Sequence, residues 1–273
     1  MLDARRLADL ESFVIDLNRA SAEVILPLFR ADHGLEDKGG DRGFDPVTEA
    51  DRGAEAAIRK LIAARFPDHG VVGEEYGRDR EDAEFVWVLD PVDGTRAFIA
   101  GLPVWTTLIS LRHEGRPVLG SIGQPYIDEI FVGHAGGSRL VSRSGERALR
   151  TRAGAQLSQA IVHSTDPSAY FEAAERAVWR ELVQRTRLAR LGCDAYAYAM
   201  VAAGTMDLVV ESRVCKCWDI EVAVPLISGA GGAVSDWEGR DIGLGGGQIA
   251  MAGDRALLDA AVEILREGAM PPG

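Results

Sequence analysis

Cysteine is scarce in this chain, and what there is cannot make a disulfide framework. The three residues, Cys193, Cys215 and Cys217, are odd in number and clustered late. A Cys-x-Cys pair supplies too few ligands for a closed four-ligand zinc site, and the five histidines show no matching spacing. Reduced, mostly buried thiols are the expectation, which suits a cytoplasmic protein. Long apolar runs are missing too. None approaches membrane-spanning length, and Met1-Leu2-Asp3-Ala4-Arg5-Arg6 carries charge where a secretory signal needs an apolar core. Positive charge is in deficit, with 30 Lys and Arg against 42 Asp and Glu and a formal charge of −12. A diffuse negative field of that kind disfavours nucleic acid and anionic membrane as partners. There is no internal repeat and no low-complexity segment.

What is present is enough for a large core. A chain of 273 residues with 47% hydrophobic content folds as one large domain or as two closely packed halves. Leu7, Leu10, Val14, Leu17, Ser21, Val24, Ile25 and Leu28 follow a helical period over 4–30, with Pro27 placed to kink or end the helix. Four glycines and five charged residues between Gly34 and Gly43 read as a mobile loop. Thr48 opens a second helix with a capping box, its apolar face running through Val47, Ala50, Ala54, Ile58, Leu61 and Ile62. Strands are expected at 70–73 and 85–90, and a helical first turn at 95–99. Short apolar runs at 104–111, 117–122, 130–133 and 139–141, separated by Glu-Gly, Gly-Gln-Pro, Gly-Gly and Ser-Gly, predict an antiparallel meander. Beyond about residue 152 the pattern turns to alternating strand and helix. Strands are expected at 160–164, 206–211, 232–237 and 248–252, and helices at 168–186, 193–203, 219–228 and 254–267. The change of texture divides the chain into an α+β half, 1–150, and an α/β half, 151–273, with no real linker. The Gly243–Gly247 run lacks a preceding strand and reads as a turn.

Chemistry concentrates in acidic motifs. Asp90-Pro91-Val92-Asp93-Gly94-Thr95 follows the apolar run Phe85–Leu89, where Pro91 and Gly94 are expected to turn the chain and end the strand. Asp90, Asp93 and the Val92 carbonyl can then converge as an all-oxygen, anionic set suited to a hard divalent cation. Taken alone, a DxxD of this kind is also compatible with a solvated turn. Three further acidic segments accompany it: Asp45-Pro46-Val47-Thr48-Glu49-Ala50-Asp51, Gly73-Glu74-Glu75, and Cys217-Trp218-Asp219 with Glu221 and a glycine-rich stretch after it. Asp51 could serve only as the partner in its capping box, and Asp219 only as a helix N-cap.

The four segments, in this order and spacing, resemble the lithium-sensitive, magnesium-dependent phosphomonoesterase superfamily typified by inositol monophosphatase. The likeness runs from about Lys38 to about Asp236. It implies a layered αβαβα sugar-phosphatase fold, a homodimer and a small phosphate monoester as substrate. It also implies two to three Mg²⁺ ions, with Mn²⁺ as an alternative. Bound divalent ions would invert the acidic field locally, so the net charge is compatible with a phosphate substrate. By the resemblance, Glu74, Asp90 and the Val92 carbonyl hold a first metal, and Asp90, Asp93 and Asp219 a second. Asp51 and Thr95, with Glu74 nearby, orient and deprotonate the attacking water, and the Gly94 and Thr95 N–H groups hold the phosphate. Glu75 would support the ligands from behind. Lys38 matches a loop lysine near an optional third metal, or is a solvated loop lysine. The dimer face could come from the apolar meander at 104–133.

The run from Asp93 through Leu111, then Gly120–Tyr126, Gly192–Tyr198 and Met206–Ser212, looks more like the histidinol-phosphate phosphatases of this superfamily. That substrate carries an ammonium and an imidazole, so its pocket should offer carboxylates beyond the metal ligands, and Asp194 and Glu211 are the candidates. The bland alternatives are that Asp194 caps a helix and Glu211 ends a strand in solvent. Between Glu211 and Asp219 the chain is one residue longer than the family pattern, and its Cys217-Trp218-Asp219 ending is closer to the inositol type. An inositol-1-phosphate phosphatase, or a broader sugar- or nucleotide-phosphate phosphatase, is the rival enzyme. A catalytically inactive, metal- or partner-binding relative is the rival of a different class. Such relatives usually lose a ligand or the threonine, and all are present here.

Overall fold

Two large sheets and three helical layers, with a two-stranded ribbon pairing Glu36–Asp37 and Pro46–Val47, account for the architecture in the computed structural model, which describes residues 3–32, 34–37 and 46–269. The first sheet has eight strands, in spatial order 145–148, 137–142, 129–134, 116–124, 106–113, 85–93, 70–73 and 77–79. Every neighbouring pair is antiparallel except 70–73 against 85–93. The second has five strands, in order 188–191, 161–164, 208–211, 249–252 and 233–235, the first two pairings parallel and the others antiparallel.

Period-two alternation decides what each strand face meets. Trp87 and Leu89 pack with Leu10, Val14 and Leu17 of helix Ala4–Ile25 and with Ile58 and Ile62 of helix Glu49–Arg65. On the opposite face of the first sheet, Leu108, Ile122 and Phe131 meet helices Tyr196–Ala202 and Ala223–Gly229. Val209 and Met251 of the second sheet close that layer from the other side, while Leu208, Val210 and Ala250 face helices Ala173–Arg185 and Arg255–Leu265. The result is helix, sheet, helix, sheet, helix, the αβαβα layering expected. Each large apolar side chain so buried stabilises the fold by about 1.5–3 kcal/mol. Leu108, Ile109, Leu111, Leu119, Ile122 and Phe131 of the meander are essentially solvent-free within this single chain. They are therefore committed to the core, and the exposed large apolar residues of the 104–133 stretch are Tyr126 and Ile127.

Several elements depart from the expected bounds. The strand from Phe85 does not end at Asp90 but runs to Asp93, with a register break between Asp90, paired with Leu108, and Asp93, paired with Thr106. Proline has no N–H for the ladder, so Pro91 is accommodated by this irregularity instead of a turn. The helix expected over 168–186 is two, Pro167–Tyr170 and Ala173–Arg185. Glu172 restarts it as a capping-box residue, its N–H donating to Glu175 Oε2 at 2.7 Å, and buried Phe171 crosses the break extended. The helix expected at 219–228 is likewise two, Cys217–Ile220 and Ala223–Gly229. Pro225 lacks the N–H that would bond Glu221, and its ring crowds that carbonyl. Leu61, placed on the apolar face of its helix, is 37% exposed. Short edge strands at 77–79 and 145–148 carry too few apolar residues to be read from periodicity, and Leu188–Leu191, an edge strand of four residues, is too short to show an alternation. Among the described residues no helix is long and apolar enough to cross a membrane.

Candidate active site

Asp90 sits at the register break of the central strand, 3% exposed, with its Oδ1 accepting the Val92 N–H at 3.1 Å. Burial first, then the charges of Glu74, Asp93, Asp219 and Asp51, hold its carboxyl well above the ordinary range. Those neighbours arrive from four different elements. Glu74 follows strand Gly70–Gly73, its N–H tied to Leu89 O at 3.2 Å. Asp93 closes the central strand, and its Oδ2 accepts from the Thr106 hydroxyl at 3.1 Å and the Ala195 N–H at 2.8 Å. Burial, then the charge of Asp194, pushes Asp93 upward as well. Asp219 lies in helix Cys217–Ile220. It is not the N-cap; its Oδ2 reaches back to the Lys216 N–H at 2.6 Å, and burial raises its carboxyl to about 6.

Asp51 has two tasks. Its Oδ2 accepts from the Thr48 N–H at 2.7 Å and hydroxyl at 2.6 Å, completing the capping box. Its Oδ1 faces the Thr95 hydroxyl at 3.5 Å, and that hydroxyl also lies 3.1 Å from the Val92 carbonyl. The Val92 carbonyl is therefore an acceptor already in use, with a second lone pair remaining. Thr95 opens helix Thr95–Ile99, and Gly94 before it has φ 78°. A Cβ on Gly94 would stand 3.0 Å from Asp194 Oδ2, so both backbone and neighbour demand glycine.

The two acids assigned to the substrate end are also close by. Asp194 precedes helix Tyr196–Ala202 and does not cap it; Ala195 is the cap residue. Burial raises its carboxyl to about 6, with Arg96 opposing and Asp166 adding. Glu211 does not end its strand in solvent. It is 4% exposed and accepts from the Thr165 N–H and hydroxyl, each at 3.0 Å, and from the Ser164 hydroxyl at 3.3 Å. Burial lifts it to about 8 against those donors. Lys38 lies outside the described residues.

One supporting acid was not anticipated. Glu55 is fully buried and receives the N–H groups of Glu75 at 2.8 Å and Tyr76 at 3.2 Å, with Arg59 Nε on the same carboxylate at 2.7 Å. It holds the turn that carries Glu74. A Cβ on Gly73 would come within 2.0 Å of Glu55 Oε1, which explains the glycine before the two glutamates. The available signal was its place one helical turn after Asp51, on a face otherwise apolar.

Among the described residues no three His, Cys, Asp or Glu side chains close on one point as a finished metal cage. The carboxylates are neighbours whose charges act on one another. The profile of the inositol monophosphatase family matches residues 6–269. The chain belongs to the inositol monophosphatase family. Among its relatives is a chloroplastic bifunctional phosphatase of Arabidopsis thaliana, 43% identical over 81% of this chain, the match spanning 62% of that protein's own length. A histidinol-phosphatase of Chlorobaculum parvum is 33% identical over 73% of this chain and 75% of its own. The solved structure of an inositol monophosphatase from Zymomonas mobilis superposes with a TM-score of 0.85 at 35% identity, covering 97% of this chain and 100% of that one. This is a phosphatase family, and these relatives differ in the substrates their names carry.

Proposed function

We propose that this protein hydrolyses L-histidinol phosphate to L-histidinol and phosphate, with Mg²⁺ as cofactor, as a step in histidine biosynthesis. The observation that carries the substrate choice is the pair Asp194 and Glu211, two acids outside the metal-ligand set that burial raises, the charge of Asp194 adding to its effect on Glu211. A leaving group bearing an ammonium and an imidazole draws both acids into their charged forms and neutralises them, whereas a neutral polyol supplies no counter-charge. The relative named as a histidinol-phosphatase supports the same choice.

The acid cluster fits a hard divalent ion: its donors are all oxygens, and four carboxylates act in the same direction on Asp90. Glu74, Asp90 and the Val92 carbonyl would hold one ion, and Asp90, Asp93 and Asp219 another. When bound, such ions neutralise phosphoryl oxygens and acidify water. The chain's own groups do the rest. The Thr95 hydroxyl can accept a hydrogen bond from the attacking water and pass its own proton toward Asp51 Oδ1, 3.5 Å away. Asp51 is kept in place for this by its two bonds to Thr48. The Gly94 and Thr95 N–H groups, at the start of a helix, suit the phosphate oxygens. Asp93, fixed by Thr106 and Ala195, stands between the phosphate end and the leaving-group end.

Hydrolysis of inositol-1-phosphate is the second reading, favoured by the Cys217-Trp218-Asp219 ending and the Zymomonas mobilis structure. Phosphate release from histidinol phosphate, inositol-1-phosphate and adenosine 3′,5′-bisphosphate decides between them. The highest kcat/KM is expected for histidinol phosphate. Equal or faster turnover of inositol-1-phosphate overturns that choice, and no release from any of the three overturns the enzymatic reading. The homodimer belongs to the same proposal, with light scattering as its test.

A further inference from the structure

His163 lies on strand Ile161–Ser164 and is completely buried, yet nothing in the mechanism above uses it. Its Nε2 accepts the Cys193 N–H at 3.1 Å. In a neutral ring this bond places the proton on Nδ1. That atom makes no hydrogen bond among the described residues and stands 3.8 Å from Glu211 Oε1. Burial, with Arg190 adding, holds the ring's pKa down at about 4, so it is a neutral dipole under working conditions. An unpartnered donor in so dry a place calls for an explanation.

The ring joins the two segments that carry the substrate acids. Cys193 sits between Gly192, φ 77°, and Asp194, φ 43°, so Asp194 holds a left-handed backbone that a non-glycine residue rarely adopts. The Cys193 N–H bond secures that turn from below, and the Ala195 N–H secures it toward Asp93. On its other side the ring faces Glu211, which the Thr165 N–H and hydroxyl fix in turn.

We propose that His163 is a positioning residue for the leaving-group end of the site. It pins the Asp194 turn through Cys193 and presents Nδ1–H to Glu211, so both acids meet a cationic leaving group in fixed places. This rests on the histidinol phosphate reading above.

The test uses the full chain with Mg²⁺, His163→Leu to remove both ring nitrogens, and His163→Gln to keep an acceptor near the Nε2 position. In His163→Leu the KM for histidinol phosphate should rise about tenfold, with kcat within about twofold. Its kcat/KM for p-nitrophenyl phosphate, whose leaving group carries no cation, should stay near the wild-type value. Alkylation of Cys193 by iodoacetamide, followed by peptide mass spectrometry, should quicken several-fold as the turn loosens. His163→Gln should recover most of both effects. Equal losses on the two substrates, with no rescue by glutamine, would mean general packing and overturn the proposal. Unchanged KM together with unchanged alkylation overturns it as well. Should His163→Leu fail to fold, His163→Asn, too short to reach the Cys193 N–H, takes its place with the same expectations. A wild-type preference for inositol-1-phosphate defeats the substrate reading alone. The alkylation rates then decide the anchoring role by themselves, faster supporting it and unchanged refuting it.

Discussion

Asp93 shows how much one side chain can be asked to do. It closes the central strand, accepts from Thr106 and Ala195, and lies beside both Asp219 and Asp194. Asp93→Asn keeps an acceptor oxygen but removes the charge, so turnover should fall by about two to four orders of magnitude with the fold intact. Steady-state kinetics beside circular dichroism will check this, and near-normal activity refutes the metal assignment. Glu211 supports a different prediction. Its folded value of about 8 exceeds the ordinary 4.5, so between these values the folded protein holds a proton that the unfolded chain releases. Its contribution to stability is therefore present at low pH and lost as pH rises through about 8. In metal-free protein the stability of Glu211→Gln relative to wild type should grow between about pH 5 and pH 9. A pH-independent difference in urea midpoints contradicts the buried, protonated state. The candidate ligands were legible because an Asp-Pro-Val-Asp-Gly-Thr run has little structural use in an apolar setting. Glu55 and His163 were not, since a lone acid or imidazole signals nothing until its neighbours are known.

Helix and strand bounds were readable where one local cause dominates. Thr48 and Asp51 announced a capping box, and Thr48 N–H to Asp51 Oδ2 is one of its bonds. Pro225 and the Glu172–Glu175 box carried equally local signals for the two broken helices, but the apolar period ran straight through both breaks. The break at Glu221 also frees that residue for a tertiary partner. Its carboxylate is 1% exposed and pairs with Arg112 of strand Thr106–His113 through two bonds, one of them Arg112 Nε at 2.7 Å. This pair joins the first sheet to the segment that carries Asp219. Glu221→Ala leaves a buried guanidinium without its counter-charge and should cost about 3–5 kcal/mol, read as a shift in urea midpoint. A double change of Arg112 and Glu221 to leucine should cost less than Glu221→Ala alone; a greater cost removes the ion-pair explanation.

Across the whole molecule, carboxylates from four elements crowd together, and only charge of the opposite sign relieves them. Asp219, at about 6 against an ordinary 3.8, binds a proton on folding, so metal-free stability falls as pH rises through that window. A divalent ion competes with the same proton. Mg²⁺ at about a hundred times its Kd should stabilise the protein by about 2.7 kcal/mol near pH 8 and by clearly less near pH 5. Thermal denaturation with Mg²⁺ and with a chelator will check it, and equal shifts at both pH values count against a carboxylate site. By itself the sequence determined the inventory: which acids exist, which local turns hold them, and which strands and helices are apolar enough to form layers. Only the tertiary structure decided that Glu55 supports Glu74, that Glu211 is dry, and that His163 lies between Cys193 and Glu211. Local pattern records the energetics of neighbours along the chain. The environment of a buried polar group is set by segments tens of residues away, and those meet only once the layers have packed.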